Sequence, residues 1–397
     1  MDRIKEKSNQ LVASTSTKFV RYLMNEIDWN WRLIGVLGAR GTGKTTLLLQ
    51  HLKINHGVSD EAIYISLDDL YFSQNSLTET AQNFVNKGGK FMYIDEVHKY
   101  KNWSVELKNL YDSYPNLNLY FTGSSVVEML KQDVDLSRRA VTYHLNGLSF
   151  REFLVLDSNI TFNPISINEI LTNHAQVASE VIQQIKPLAF FDTYLKYGYY
   201  PFYFENKALY YRRLEQITKQ VIENDLNFID GYDPRNAHKI KQLLYIIAES
   251  VPFKPNTVKL SERISIHRNT LINYLYYLEK AQVINLLHHS GKSTGILQKP
   301  EKIYLNNTNL SYLLSEQVPN KGSVRETFFM NQVGALHPIK ATANGDFEVN
   351  NRWLFEIGGK NKSRKQLPDN DDAFTAVDEV EIGAYKKIPL WLFGFLY

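Results

Sequence analysis

Lys44 and Thr45 close a glycine-rich stretch, GARGTGKT from Gly38 to Thr45, that fills every fixed position of G-x-x-x-x-G-K-[ST]. Glycines let a backbone curl so that several N–H groups converge, and converging N–H groups bind phosphate oxygens. A helix N-terminus after the curl favours the same anion. The chemistry expected is the holding of ATP. Gly38, Ala39, Arg40, Gly41, Thr42, Gly43, Lys44, Thr45 and Thr46 would form the cradle. Lys44 would reach the β- and γ-phosphates, and Thr45 would ligate Mg²⁺.

A triphosphate site also needs a carboxylate from a neighbouring strand. FMYIDEV, Phe91 to Val97, supplies apolar residues and then Asp95 and Glu96. Asp95 would bind Mg²⁺, directly or through water, and Glu96 would polarise the attacking water as general base. Thr122 and Ser124 lie at the end of another apolar run, LNLYFTGSS. Two readings stand for them: sensing the γ-phosphate, or capping a helix over VVEMLK.

Particular elements must bring these groups together. RLIGVLG, before the loop, has the character of a buried strand, and TTLLLQHLK, after it, that of a helix. IYISLDD reads as the strand between the loop and FMYIDEV. Alternating strands and helices predict an α/β fold with a parallel sheet whose ligands sit at the carboxyl ends of the strands. This is the plan of a P-loop NTPase domain, expected over residues 1–157.

The next stretches, DLSRRAVTYHLNGLSFREFL (Asp135 to Leu154) and YLKYGYYPFYFE (Tyr194 to Glu205), resemble a known family. It is the AAA-type P-loop ATPases of archaea and bacteria that carry a C-terminal endonuclease-like domain of unknown function. The resemblance runs from about residue 20 to the end and is most specific up to residue 155. Arg138 and Tyr199 stand where the family usually has glycine. The resemblance implies an AAA-like ATPase and a role for Arg139 as an arginine finger or sensor, steadying charge on the transferring phosphoryl group. The residue types alone leave another reading, an Arg-Arg pair closing a helix C-terminus.

Residues 158–235 read as a helical lid or linker without catalytic clusters, and the sequence reveals no partner for Asp225 in NDLNF. Residues 236–320 read as a winged helix-turn-helix. AHKIKQLLYIIAES is one helix, and Leu260 and Ile264 share a face of a second. Leu271, Tyr274, Leu275 and Leu278 form the stripe of a third. A hairpin around GKSTG follows. From 236 to 322, eleven Lys and Arg stand against five Glu and no Asp. That basic excess fits duplex DNA. His267, Arg268, Asn269 and Asn273, with Lys292 in the hairpin turn, are types that contact phosphates and base edges. Docking of a protein partner is the other reading.

Residues 321–397 are expected to form a small restriction-endonuclease-like α/β domain. Glu326 would lie on a helix, Asp346 and Glu356 on two strands, and Lys360 just beyond. In such sites carboxylates hold Mg²⁺ and a lysine assists. The spacing departs from the family pattern, because Gly358 stands where the lysine is usual and no Pro-Asp pair precedes. A structural or DNA-docking relic therefore stands beside a working nuclease.

Cysteine is absent, which excludes disulfides and thiolate zinc sites. The start, MDRIKEKSNQ, lacks a signal-peptide core, and the longest apolar run, IPLWLFGFLY, is too short to span a bilayer. A cytoplasmic protein without a membrane partner is expected. An oligomer is required if Arg139 acts in trans. The function expected is ATP binding and hydrolysis by an AAA-type ATPase whose nucleotide state switches C-terminal modules on DNA or a partner. Two alternatives are a regulator that binds ATP without turnover and an ATP-gated, metal-dependent nuclease.

Overall fold

The structure, a computed structural model, describes residues 2–125, 136, 138–229, 231–249, 254–289 and 299–397. The expected helix over VVEMLK and the expected hairpin turn with Lys292 lie outside them. The chain divides into two compact units, one of Met1–Gly147 with Asn224–Tyr232 and the other of Leu148–Glu223 with Asp233–Tyr397. Residue 157, where the sequence placed a boundary, lies in the second unit.

The first unit begins with α1 (Asp2–Ser14) and α2 (Leu23–Glu26) and then alternates. In order come β1 (Leu33–Gly38), α3 (Lys44–Asn55), β2 (Ala62–Ser66), α4 (Leu77–Asn86), β3 (Phe91–Asp95), α5 (Trp103–Ser113), β4 (Asn118–Ser124) and β5 (Val141–His144). The strands form one five-stranded sheet in the order β2-β3-β4-β1-β5, and every pairing is parallel. The expected strand, loop, helix and carboxylate strand are all present.

Period-two alternation explains the two cores. Leu33, Leu37, Ile63, Ile65, Met92, Ile94, Leu119 and Phe121 face one side, where Leu77 and Phe84 of α4 and Trp103, Leu107 and Leu110 of α5 cover them. Ile34, Val36, Tyr64, Tyr93 and Tyr120 face the other, against Leu47, Leu48 and Leu52 of α3. Continuous apolar strands are thus the mark of a sheet covered on both faces.

The second unit opens with α6 (Phe150–Ser158), α7 (Ile167–Ile182), α8 (Pro187–Tyr197) and α9 (Tyr210–Glu223). After Tyr232 come α10 (Ala237–Glu249), α11 (Thr257–Arg263) and α12 (Arg268–Lys280), then β6 (Ile284–Leu287) and β7 (Lys302–Leu305), which pair antiparallel. Leu271, Tyr274, Leu275 and Leu278 are buried as the stripe predicts. α13 (Thr308–Leu314) and α14 (Lys321–Gly334) lead to β8 (Ile339–Lys340), β9 (Phe347–Val349), β10 (Trp353–Gly358), β11 (Ala373–Val377) and β12 (Lys387–Pro389). These make a mixed sheet in the order β12-β11-β10-β9-β8. LSFREFL has a local purpose here: Ser149 and Glu152 form a capping box on α6, and Ser149 and Arg151 donate to the Tyr397 carbonyl. The terminal apolar run is core, with Leu390, Trp391, Leu392, Phe393 and Phe395 buried. Among the described residues, no helix is long and apolar enough to cross a membrane.

Candidate functional site

The loop between β1 and α3 lies at the carboxyl end of β1. Gly41 and Gly43 have positive φ of 85° and 97°, a turn glycine adopts without strain. A Cβ at Gly38 would press on the Leu145 carbonyl oxygen, so the loop packs directly on backbone there. Thr42 Oγ1 donates to Ala39 O at 2.9 Å and closes the curl. Buried Arg21 braces it from outside, donating to Thr42 O at 2.6 Å and to Asn146 O and Gly147 O at 2.8 Å.

Lys44 is buried and donates to the Gly38 and Ala39 carbonyls at 3.0 and 2.9 Å. Burial lowers its pKa, against the opposing pull of Glu96 and Asp95. Thr45 Oγ1 donates to Asp95 Oδ2 at 2.8 Å. Tyr64, on the neighbouring β2, donates to the same oxygen at 2.7 Å, and Thr122 donates to Oδ1. Burial raises the Asp95 pKa, while the hydrogen bonds from Thr122, Tyr64 and Thr45 hold it down. A hydroxyl and a carboxylate side by side are the hard oxygen donors Mg²⁺ takes, the remaining positions going to water and phosphate. Thr46 is exposed.

Glu96 follows directly, in the left-handed region at φ 56°. Backbone strain of this kind collects at active sites. Its N–H donates to Thr122 Oγ1 at 3.1 Å, so one hydroxyl positions both acidic residues. The Ser124 N–H donates to His98 Nδ1 at 3.3 Å, which leaves the ring proton on Nε2, at 3.4 Å from Glu96 Oε2. Burial pushes the His98 pKa down to about 4, so the ring is neutral. Arg40, at the apex of the loop, lies 3.7 Å from Glu96.

Arg139 is elsewhere. It pairs with Asp112 at 2.9 Å, in the last turn of α5, and its carbonyl accepts from Trp31, just before β1. These positions mark the amino ends of the strands, while the loop lies at the carboxyl ends, roughly 20 Å of strand away. The geometry does not bring Arg139 to the phosphates of its own chain. The sequence also missed a partner: the buried Asp225 accepts from Arg40 at 2.9 and 3.3 Å. No signal in the sequence joins residues so far apart.

In the second unit, His267, Arg268 and Asn269 are exposed at the start of α12, and Asn273 is half-buried. Arg268 Nε donates to Thr257 Oγ1 at 3.3 Å. Glu326 and Asp346 do come together, but around Lys302, at 3.1 and 3.3 Å. Tyr304 also donates to Glu326, at 2.6 Å. Glu356, buried, pairs with Lys362 at 2.7 Å, whereas Lys360 is exposed. The Lys362 chain fills the space a side chain at Gly358 would take. The expected Lys360 is therefore replaced by a lysine that returns from the following loop. Among the described residues, no group of three or more His, Asp and Glu is placed to hold a metal.

Residues 30–154 match the family model of an AAA domain, and residues 189–320 match that of a domain of unknown function, DUF8612. An uncharacterized protein of Methanocaldococcus jannaschii is 29% identical over 316 residues, 75% of this chain. The chain spans 65% of that relative's length. Among solved structures, AMPPCP-bound DnaA from Aquifex aeolicus overlaps with a TM-score of 0.29 and 14% identity, over 70% of this chain and 88% of that one. PCH-2 of C. elegans overlaps with a TM-score of 0.24 and 16% identity, over 71% and 67%. The segment that matches the AAA domain model is thus the one that carries the loop, Asp95 and Glu96.

Proposed function

We propose that this protein hydrolyses ATP and that the bound nucleotide sets the state of modules in the second unit that engage duplex DNA. The observation that carries the reading is the convergence of Lys44, Thr45, Asp95 and Glu96 at the carboxyl ends of β1 and β3, with Thr45 already on Asp95 at 2.8 Å. In this reading the loop N–H groups and Lys44 bind the phosphates. Thr45 and Asp95 hold Mg²⁺, which offsets phosphate charge. Glu96 orients and deprotonates the attacking water. Thr122 fixes Asp95 and Glu96 relative to each other.

The DNA half of the proposal is supported by the α10-α11-α12-β6-β7 order, read as a winged helix, and by the exposure of Arg268 and Asn269 on α12. Residues 321–397 are read as endonuclease-like in fold but not in activity. The ammonium groups of Lys302 and Lys362 already occupy the carboxylates a metal would need.

The steady-state ATP hydrolysis rate, measured with and without duplex DNA and with Lys44→Ala as the blank, tests the proposal. A rate above the blank that rises with DNA is expected. A rate equal to the blank would leave a binding regulator. A rate indifferent to DNA would turn the second unit toward a protein partner.

A further inference from the structure

We propose that Arg40 grips the terminal phosphate of the bound triphosphate and that Asp225 is the positioning residue that aims it. The inference rests on the ATP reading above.

Arg40 is the cation at the loop apex, between Ala39 and Gly41. Its Nη2 and Nε donate to Asp225 Oδ1 and Oδ2 at 2.9 and 3.3 Å, a two-point clamp that fixes the plane of the guanidinium. A guanidinium has five N–H donors, and this clamp leaves others available. The guanidinium lies 3.7 Å from Glu96, close enough for attraction between charges but without a hydrogen bond. It therefore stands beside the carboxylate that faces the attacking water, where charge develops on the transferring phosphoryl group.

Asp225 is built for holding. Its side chain is 0% exposed and has a second cation, Lys99, at 3.6 Å. The turn that carries it, Asp225–Phe228, packs on the turn that carries Glu96 onward. Phe228 meets the His98 ring edge-on at 5.8 Å, and Lys99 lies over the Phe228 ring at 5.4 Å.

The test is calorimetric binding of Mg-AMPPCP, a non-hydrolysable triphosphate, and of Mg-ADP. It compares wild type with Arg40→Ala, Arg40→Lys, Asp225→Asn, Asp225→Glu and the double variant Arg40→Ala/Asp225→Asn. Wild type should prefer the triphosphate. Arg40→Ala should cut that preference ~10- to 100-fold, the worth of a charge-assisted hydrogen bond, and leave ADP affinity within about threefold. Asp225→Asn should cut it less, Asp225→Glu should restore part, and the double variant should be no worse than Arg40→Ala alone.

Arg40→Ala with the wild-type preference would overturn the proposal while leaving the ATP reading intact. So would a wild type that binds both nucleotides equally, or an Asp225→Asn that melts earlier yet keeps the full preference. Should Asp225→Asn not fold, Arg40→Ala and Arg40→Lys still decide. A wild type that binds neither nucleotide sinks the ATP reading and this proposal with it.

Discussion

His51 shows how far one side chain can be driven by its surroundings. It is stacked on Trp29 with ring centroids 3.6 Å apart, and Nδ1 is 2.7 Å from the Tyr93 hydroxyl. Burial lowers its pKa to about 3, with the nearby His56 a smaller cause in the same direction. The sign follows from proton counts. Between pH 3 and the ordinary value of 6.5, the unfolded chain holds a proton that the folded chain refuses. Stability is therefore complete above pH 6.5 and falls as the pH drops, by about 1.4 kcal/mol per unit from this residue alone. The neutral, buried His98 adds a fall of the same sign. Subtracting the stability-pH curve of His51→Gln from that of wild type isolates the first effect. A difference flat from pH 7 to pH 4 would show that the ring takes its proton inside the fold. The same surroundings act on Lys44 and Asp95. Burial disfavours both charges, against which Glu96 and Asp95 favour that of Lys44 and hydrogen bonds from Thr122, Tyr64 and Thr45 favour that of Asp95.

Between β1 and β4 the packing is a match of a missing side chain to a large one. Gly35 pairs in register with Phe121, and a Cβ on Gly35 would stand 2.5 Å from Phe121 Cζ. The ring has little room to retreat, because Trp103 lies 5.7 Å behind it. Gly35→Ala should therefore destabilise the first unit by ~1–3 kcal/mol through overpacking, and Phe121→Leu in the same chain should restore part of the stability. Thermal melts of the two variants check both statements, and an unchanged melting temperature for Gly35→Ala would contradict them. Strands of this kind are readable from sequence. Their apolar runs, the glycine-rich loop and the acidic pair are local patterns, so β1, α3, β2, β3 and β4 emerge with the site on them. What sequence could not supply was pairing between distant residues. Arg40 with Asp225, Tyr64 with Asp95, and Lys362 in the place expected for Lys360 each depend on the fold to bring them together. Arg139 is the complementary case. Family resemblance suggested a role, but topology sets its strand end, away from the loop of its own chain, which leaves that role only in trans.

The order of the chain gives nucleotide chemistry a route to the rest of the molecule. The turn with Asp225 groups with the first unit, yet it joins α9 to α10 along the chain. The segment that holds Arg40 through Asp225 thus continues along the chain into α10 to α12, the part of the second unit proposed to meet DNA. If the two are coupled, linkage makes the coupling symmetric: the factor by which AMPPCP changes the dissociation constant for duplex DNA must equal the factor by which DNA changes that for AMPPCP. Couplings of this type commonly amount to ~5- to 150-fold. The double variant Arg268→Ala/Asn269→Ala should weaken DNA binding. It should also reduce the slope of log affinity against log salt by about 1, the share of a single neutralised phosphate. AMPPCP affinity in the absence of DNA should stay unchanged, because neither residue belongs to the first unit. Titrations of each ligand, alone and with the other saturating, measure both factors. Equal factors above unity establish the switch. A DNA affinity that ignores AMPPCP would leave an ATPase and a DNA-binding module that share a chain without sharing a state, whatever the affinity of either site taken alone.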